Sequence, residues 1–375
     1  MESKSALPTA GGGPRELPFD HADLDATGGH IGPDPEDFLV DELPLYAASG
    51  QGDHWYVRLR KREATTIELR DAVAEAAGVA AGDVGYAGMK DKHAVTTQWL
   101  SVPAQRSRPP EAWQLPPAFQ VLEVSRHNNK LRVGHLEGNR FEIRLVGLSA
   151  RAPERLGQFF ERLIEQGLTN YFGAQRFGKG QQNLEGALAG LRRGRLGPRA
   201  GTRGRFLASV IQSEVFNRYA IERVAMGRGR VLAGDVLRFR DGRSVFTVED
   251  PEREQPRLDR GELRLTGPMV GPKMKASAGE PHRLERAALD ALGLDDATLR
   301  ALGQFAPGTR RDLLLWPSEL RQEPAPGGGV TVSFTLPAGA YASLVIRTLT
   351  RRDPWLGTAV SEASGDERGA DERVD

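Results

Sequence analysis

The chain changes character twice, and those changes limit the architectures open to it. Residues 167–308 are rich in Arg and Gly. They show helical spacing near 204–226, 282–292 and 296–302, with short strand-like runs near 236–239 and 245–248. Before this stretch the β-branched and aromatic residues gather in runs at 54–59, 95–102 and 121–126. After it, 331–336 returns to strand character and 340–350 reads as a helix, with Leu344, Val345, Thr348 and Leu349 at helical spacing. No internal repeat is present. The pattern is α+β, with a mixed or antiparallel sheet and a helix-rich middle.

Composition excludes several classes. A chain of 375 residues is long enough for two or three domains with their own cores. The absence of cysteine excludes disulfides, thiol nucleophiles, iron–sulfur clusters and Cys-ligated zinc. No run approaches 18 uncharged apolar residues, and the start lacks a signal-peptide pattern, so the expected compartment is the cytoplasm. The seven His form no metal-binding spacing, and no Walker loop or Gly-x-Ser-x-Gly elbow occurs, so no metal is expected.

The net charge of +1 hides an asymmetry. Residues 1–37 carry −6 and 361–375 carry −4, and both 1–30 and 356–375 read as disordered acidic tails. Within the basic body, 192–243 holds 13 Arg against four acids, a charge that could meet a polyanion. With 43 Arg to 8 Lys, plain compositional bias explains the same excess.

Local signals place the remaining elements. Phe38 and Val40 suggest a strand. Thr65 and Glu68 fit a capping box, followed by Leu69, Ala72, Val73, Ala76 and Ala77 on one face and a stop at Gly78. Asp83–Ala87 reads as a short strand and Gly88–Asp91 as a turn. Residues 121–126 and 131–135 read as strands, Gly138-Asn139 as a turn, and Phe141, Ile143 and Leu145 as a half-buried strand. Pro153 opens a helix over 153–166, with Leu156, Phe159, Phe160, Leu163 and Ile164 on one face.

Three runs could carry chemistry. Gly85–Gln98 sets Asp91 between Lys90 and Lys92 in a turn between strands, where ammonium groups favour the ionised, nucleophilic carboxylate; a solvated charged turn reads the same way. Asn170–Gly178 combines aromatics and Arg176 with glycines, suiting unpaired bases and a phosphate backbone, or equally a hinge with core aromatics. In Gly138–Phe141, Asn139 could read a pyrimidine edge and Phe141 could lie on the base.

Taken in order, Pro35–Glu42, Gly50–His54, Gly88–Gln98, Gly138–Phe141, Asn170–Gly178 and Phe334–Ala342 resemble the TruD family of tRNA pseudouridine synthases, from Pro35 to about Arg351. The resemblance implies a pseudouridine-synthase catalytic domain, residues 31–166 plus 309–355, interrupted by an inserted α/β TRUD domain at 167–308. It implies isomerisation of uridine to pseudouridine in tRNA, at uridine 13 of the D-arm. The chemistry breaks a C–N bond and makes a C–C bond without redox change or hydrolysis, so no cofactor is expected. tRNA is the expected partner, with no membrane, no obligate protein partner and a monomeric chain.

The resemblance also assigns residues. Asp91 matches the catalytic aspartate. Phe38, Asn139 and Phe334 match positions that contact the target nucleotide, Lys90 a lysine that tunes the aspartate, and Phe141 a stacking ring where other pseudouridine synthases carry tyrosine. One departure stands out. The family often carries a lysine just before Pro-Glu-Asp-Phe, where this chain reads His30-Ile31-Gly32-Pro33-Asp34, leaving Lys90 or Lys92 to pair with the acid. Two other functions compete: a non-catalytic RNA-binding protein, and a metal-dependent nuclease or phosphatase. The intact Asp91 and Asn139 oppose the first, and the lack of clustered metal ligands opposes the second.

Overall fold

A computed structural model describes residues 16–178, 182–193, 201–240, 242, 244–352 and 354. In chain order its elements are β1 (Gly28–Ile31), β2 (Phe38–Pro44), β3 (His54–Arg62), α1 (Thr66–Ala77), β4 (Gly85–Tyr86), β5 (Val95–Pro103), β6 (Phe119–His127), β7 (Leu136–Leu148) and α2 (Ala152–Gln166). There follow β8 (Leu168–Thr169), α3 (Gln182–Arg192), α4 (Gly201–Ala225), β9 (Val236–Phe239), β10 (Val245–Thr247), α5 (Pro251–Asp259), β11 (Leu263–Met269), α6 (Gly279–Asp290), α7 (Asp296–Leu302), β12 (Thr309–Asp312) and β13 (Leu314–Leu315). The chain returns through β14 (Ser318–Pro324), β15 (Val330–Pro337) and α8 (Ala342–Thr350). Two compact units result: His21–Glu165 with the chain from Trp316, and Gln166–Leu315 with the segment ending at Asp20.

The first unit is built on one sheet in the order β14-β15-β7-β2-β5-β3-β6, with β1 added beside β7 and β4 beside β5. Only β2 and β5 run parallel; every other pair is antiparallel. Alternation decides which face is buried. Val57 and Leu59 on β3, and Leu100 and Val102 on β5, pack with Leu69, Val73, Ala74 and Ala77 of α1. The capping box that fixes the start of α1 forms in both directions: Glu68 N donates to Thr65 Oγ1 at 3.1 Å and Thr65 N to Glu68 Oε2 at 2.6 Å. Helix α1 ends at Gly78.

In the second unit α4 supplies the core, with Val210, Ile211, Val215, Phe216 and Ala220 fully buried. An antiparallel sheet, β10-β9-β11-β12, accompanies it. Arg223 and Asp235 form an ion pair with neither side chain exposed; Asp235 also accepts from Leu232 N at 2.7 Å.

Several expectations need correcting. Gly138-Asn139 is no turn but lies within β7, a strand of 13 residues. The glycine serves close approach: a Cβ there would stand 2.2 Å from Leu336 O on β15. Residues 131–135 form no strand. Of the expected Asp83–Ala87 strand only Gly85–Tyr86 pairs, because Ala81–Asp83 is a 3-10 turn.

Residues 16–30 are not a disordered tail. Asp20 accepts from Thr169 N and Oγ1 and pairs with Arg228; Asp23 and Asp25 pair with Arg162 and Arg155; Thr27 donates to Leu349 O. Their acids look solvated in sequence because the arginines that hold them are far along the chain. Residues 1–15 and 355–375 lie outside the described residues. Residues 309–315, assigned above to the catalytic domain, belong with the middle unit, since β12 pairs with β11 and β13 with β8. A shift in composition cannot reveal a strand that completes another unit's sheet.

Candidate active site

Asp91 lies on the loop between β4 and β5. One edge of β5 is shared by three partners. Val95–Thr97 pair with β2, Leu100 and Ser101 pair with β4, and between them Trp99 N donates to Glu42 Oε1 at 3.1 Å. A side chain thus fills the break in the ladder that two successive short strands leave. The other oxygen, Glu42 Oε2, meets Lys90 Nζ at 2.5 Å, with only 1% and 3% of the two side chains exposed.

Buried groups grip the loop's backbone next to Asp91. Lys90 N donates to Thr66 Oγ1 at 2.9 Å, and that hydroxyl donates to Gln98 Oε1 at 3.0 Å. Lys61 Nζ donates to Asp91 O and to Ala64 O, both at 2.6 Å. Asp91 keeps accessible surface, so a substrate can reach it. The residue is exposed, yet the protein packed around it still desolvates its carboxyl. That desolvation pushes it above the usual carboxylate range, while the Lys61 charge, a backbone hydrogen bond and Lys90 pull it back. Burial also holds Lys61 down to about 8, against the opposing pull of Asp91.

The strand register brings the other expected residues together. Phe334 on β15, Phe141 on β7, Val40 on β2, Thr96 on β5 and Lys61 on β3 stand opposite one another in a single row. They therefore share a sheet face. One step along, Leu336, Asn139 and Glu42 form the next row. Phe141 stacks on Phe334 with centroids 5.4 Å apart and meets Phe38 edge-on at 6.2 Å. All three rings are buried. Asn139 is half-buried, and its Oδ1, like Thr96 Oγ1 and Gln98 Nε2, has no hydrogen-bond partner among the described residues. Buried polar atoms left unpaired concentrate where a ligand completes them. A cavity of about 210 Å³ shares Glu42 with this site but is otherwise walled by residues such as Tyr46, Tyr56, Trp99 and His135, and Asp91 does not line it.

Against known families, a model described as tRNA pseudouridine synthase D (TruD) matches residues 20–187 and 204–349. The chain belongs to the TruD family. It is 44% identical over 355 residues to the tRNA pseudouridine synthase D of Anaeromyxobacter dehalogenans strain 2CP-C, covering 91% of this chain and 98% of that one. To a Thermus thermophilus protein of the same name it is 36% identical, covering 90% and 93%. The TruD crystal structure from Methanosarcina mazei superimposes with a TM-score of 0.66 at 22% identity, over 88% of this chain and 95% of that one, and shows the shared fold.

The TruD resemblance expected Lys90 or Lys92 to replace the missing lysine. Lys90 is engaged with Glu42, and the larger charge effect on Asp91 comes from Lys61. In the segment before Pro35, a Cβ at Gly32 would stand 2.0 Å from Asp37 Oδ2, so a side chain there would have to displace the carboxylate that pairs with Arg144. Neither Lys61 nor Glu42 was singled out by sequence. A signal existed: each is a charged residue in step with an apolar face, Val57-Leu59-Lys61 and Phe38-Val40-Glu42.

The basic run 192–243 is less of a surface than its charge suggests. Arg223 is buried, and Arg218, Arg228 and Arg238 pair with Glu214, Asp20 and Asp312. Arg192, Arg193, Arg203, Arg205, Arg230 and Arg240 are exposed, while Arg195, Arg199 and Arg243 lie outside the described residues. In Asn170–Gly178, Tyr171, Phe172 and Phe177 are buried and Arg176 donates to Ser209 and Ser213 on α4, so those aromatics are core.

Proposed function

We propose that this chain, a tRNA pseudouridine synthase by family, converts uridine 13 of the tRNA D-arm, with Asp91 as the catalytic carboxylate. The observation that carries this reading is the loop itself: a reachable carboxylate whose flanking backbone is clamped by buried Lys61 and Thr66. A nucleophile or base so placed meets its target without a reorganisation cost.

The reaction cleaves the C1′–N1 bond, turns the uracil and joins C1′ to C5; the C5 proton is then lost and N1 regains one. Asp91 must be ionised to attack C1′ or C6 or to take the C2′ proton. Lys61 and Lys90 favour that form against the cost of burial. Asn139 Oδ1 is an acceptor suited to the N3–H of the uracil ring. Phe38, Phe141 and Phe334 are packed on one another on the same sheet face and would form the apolar floor beneath an unstacked base. Exposed arginines of the inserted unit would neutralise tRNA phosphates.

The test is Asp91→Asn on unmodified tRNA transcripts, with pseudouridine mapped by carbodiimide treatment and primer extension. Wild type should give a stop at uridine 13, and the variant none, with tRNA binding retained because it is spread over many phosphates. Turnover in the variant above about one-hundredth of wild type, deamidation excluded, removes Asp91 from that role. Tight tRNA binding with no product from either protein favours the RNA-binding alternative.

A further inference from the structure

Lys61 is a fully buried cation beneath the loop that carries Asp91. It has no exposed surface. Its ammonium donates to two main-chain oxygens, those of Ala64 and Asp91. Among the described residues no carboxylate lies within ion-pair distance of it. Sealing an ammonium inside a sheet without a counterion is costly. A methionine of the same length would avoid that cost but would leave the Ala64 and Asp91 oxygens without this donor, so what the ammonium provides is directed at the loop backbone.

The other candidates for a cation at Asp91 are committed elsewhere. Lys90 Nζ sits on Glu42 Oε2. Lys92 is half-buried and its charge acts on Glu68 at the start of α1. Gly32 carries no side chain, and one placed there would displace Asp37. Lys61 reaches the loop from β3, beneath the backbone of the residue in question.

We infer that Lys61 is the positioning residue of this active site: its ammonium fixes the main chain at Asp91 and supplies the positive charge beside the carboxylate. This rests on the reading of Asp91 as the catalytic group. Lys61 touches no substrate; it acts through Asp91. The groups facing it are Asp91 and Lys90 on the loop and Glu68 on α1. Those facing Asp91 are Lys61 and Lys90. The direction of each effect follows. With Lys61 charged, the Asp91 carboxylate is favoured. When Lys61 loses its proton, which burial brings down to about 8, that support disappears.

The experiment is a pH series of steady-state kinetics, reading tritium released from C5 of labelled uridine in a tRNA transcript. Wild type, Lys61→Met, Lys61→Arg and Asp91→Asn are compared, with circular dichroism and tRNA binding measured on each. Lys61→Met should lower kcat at neutral pH about tenfold or more with KM within about threefold, and move the acid limb of kcat up by about one pH unit. A loss of packing alone would leave that limb in place.

Lys61→Arg keeps the charge at all accessible pH, so its acid limb should stay where wild type has it. A folded Lys61→Met with wild-type kcat and acid limb, beside an inactive Asp91→Asn, overturns the inference while leaving Asp91 in its role. Activity in Asp91→Asn overturns the underlying reading instead. If Lys61→Met does not fold, Lys61→Gln takes its place, a neutral side chain that can still donate to the Asp91 oxygen: an acid limb moved up supports the inference and one left in place overturns it.

Discussion

Replacing Glu42 with Gln isolates one charge in the centre of the sheet. Gln keeps an oxygen for Trp99 N, now 3.1 Å from Glu42 Oε1, so the ladder at the β2–β4 break survives. What is lost is the counterion of Lys90, whose side chain is only 3% exposed. Removing one member of a buried pair costs about 3–5 kcal/mol, because the remaining charge stays desolvated. Lys90→Met should cost a similar amount by leaving Glu42 alone. The double variant leaves no stranded charge and should recover most of the loss, a coupling of about 2 kcal/mol or more.

Urea unfolding followed by tryptophan fluorescence measures this, since the Trp99 amide is one of Glu42's own partners. Glu154→Gln is the comparison: it breaks an exposed pair with Arg151 on α2 and should leave the midpoint unchanged. If Glu42→Gln falls within about 1 kcal/mol of wild type, as surface substitutions do, the pair does not sustain the sheet and the argument from burial is wrong.

Two further outcomes are expected. Gly138→Ala should destabilise the first unit by about 1–3 kcal/mol, as overpacking does, because its Cβ would stand 2.2 Å from Leu336 O; an unchanged urea midpoint would mean that β7 and β15 part freely. Replacing the exposed Arg203, Arg205, Arg230 and Arg240 with Gln should raise KM for tRNA and reduce the log–log salt slope by roughly 0.7–0.9 for each phosphate no longer neutralised; an unaltered slope would show that these side chains face away from the RNA.

What the sequence revealed and what it hid follow from the range of the forces involved. Helix α1 was legible to the residue because Thr65, Glu68 and Gly78 act within a turn of their own backbone. The Asp91 loop was legible because its charges are adjacent in sequence. Gly138-Asn139 misled because a glycine that admits a neighbouring strand reads the same as one that turns the chain. The ordering of Asp20, Asp23 and Asp25 depends on Arg228, Arg162 and Arg155, more than a hundred residues away in sequence. In the same way Lys61 and Glu42 read as ordinary strand charges until the register places them on the buried face. The arginine-rich segment shows the reverse error: charge counted along the chain ignores Arg223, whose neutralising partner is Asp235 inside the same unit.

The small ladder of β8 and β13 bears on how such a chain can diverge. Leu168 pairs with Leu315 and Thr169 with Leu314, so the polypeptide enters and leaves the middle unit side by side, at the roughly 5 Å spacing of antiparallel neighbours. A closed loop of this kind behaves as a cassette. Its contents can lengthen, shorten or be exchanged for a relative's without altering the distance the host must span between Glu165 and Trp316. A chimaera cut at that clasp would exchange the middle unit in a single graft, provided that Asp20, which holds Thr169 and Arg228, is matched to the new unit.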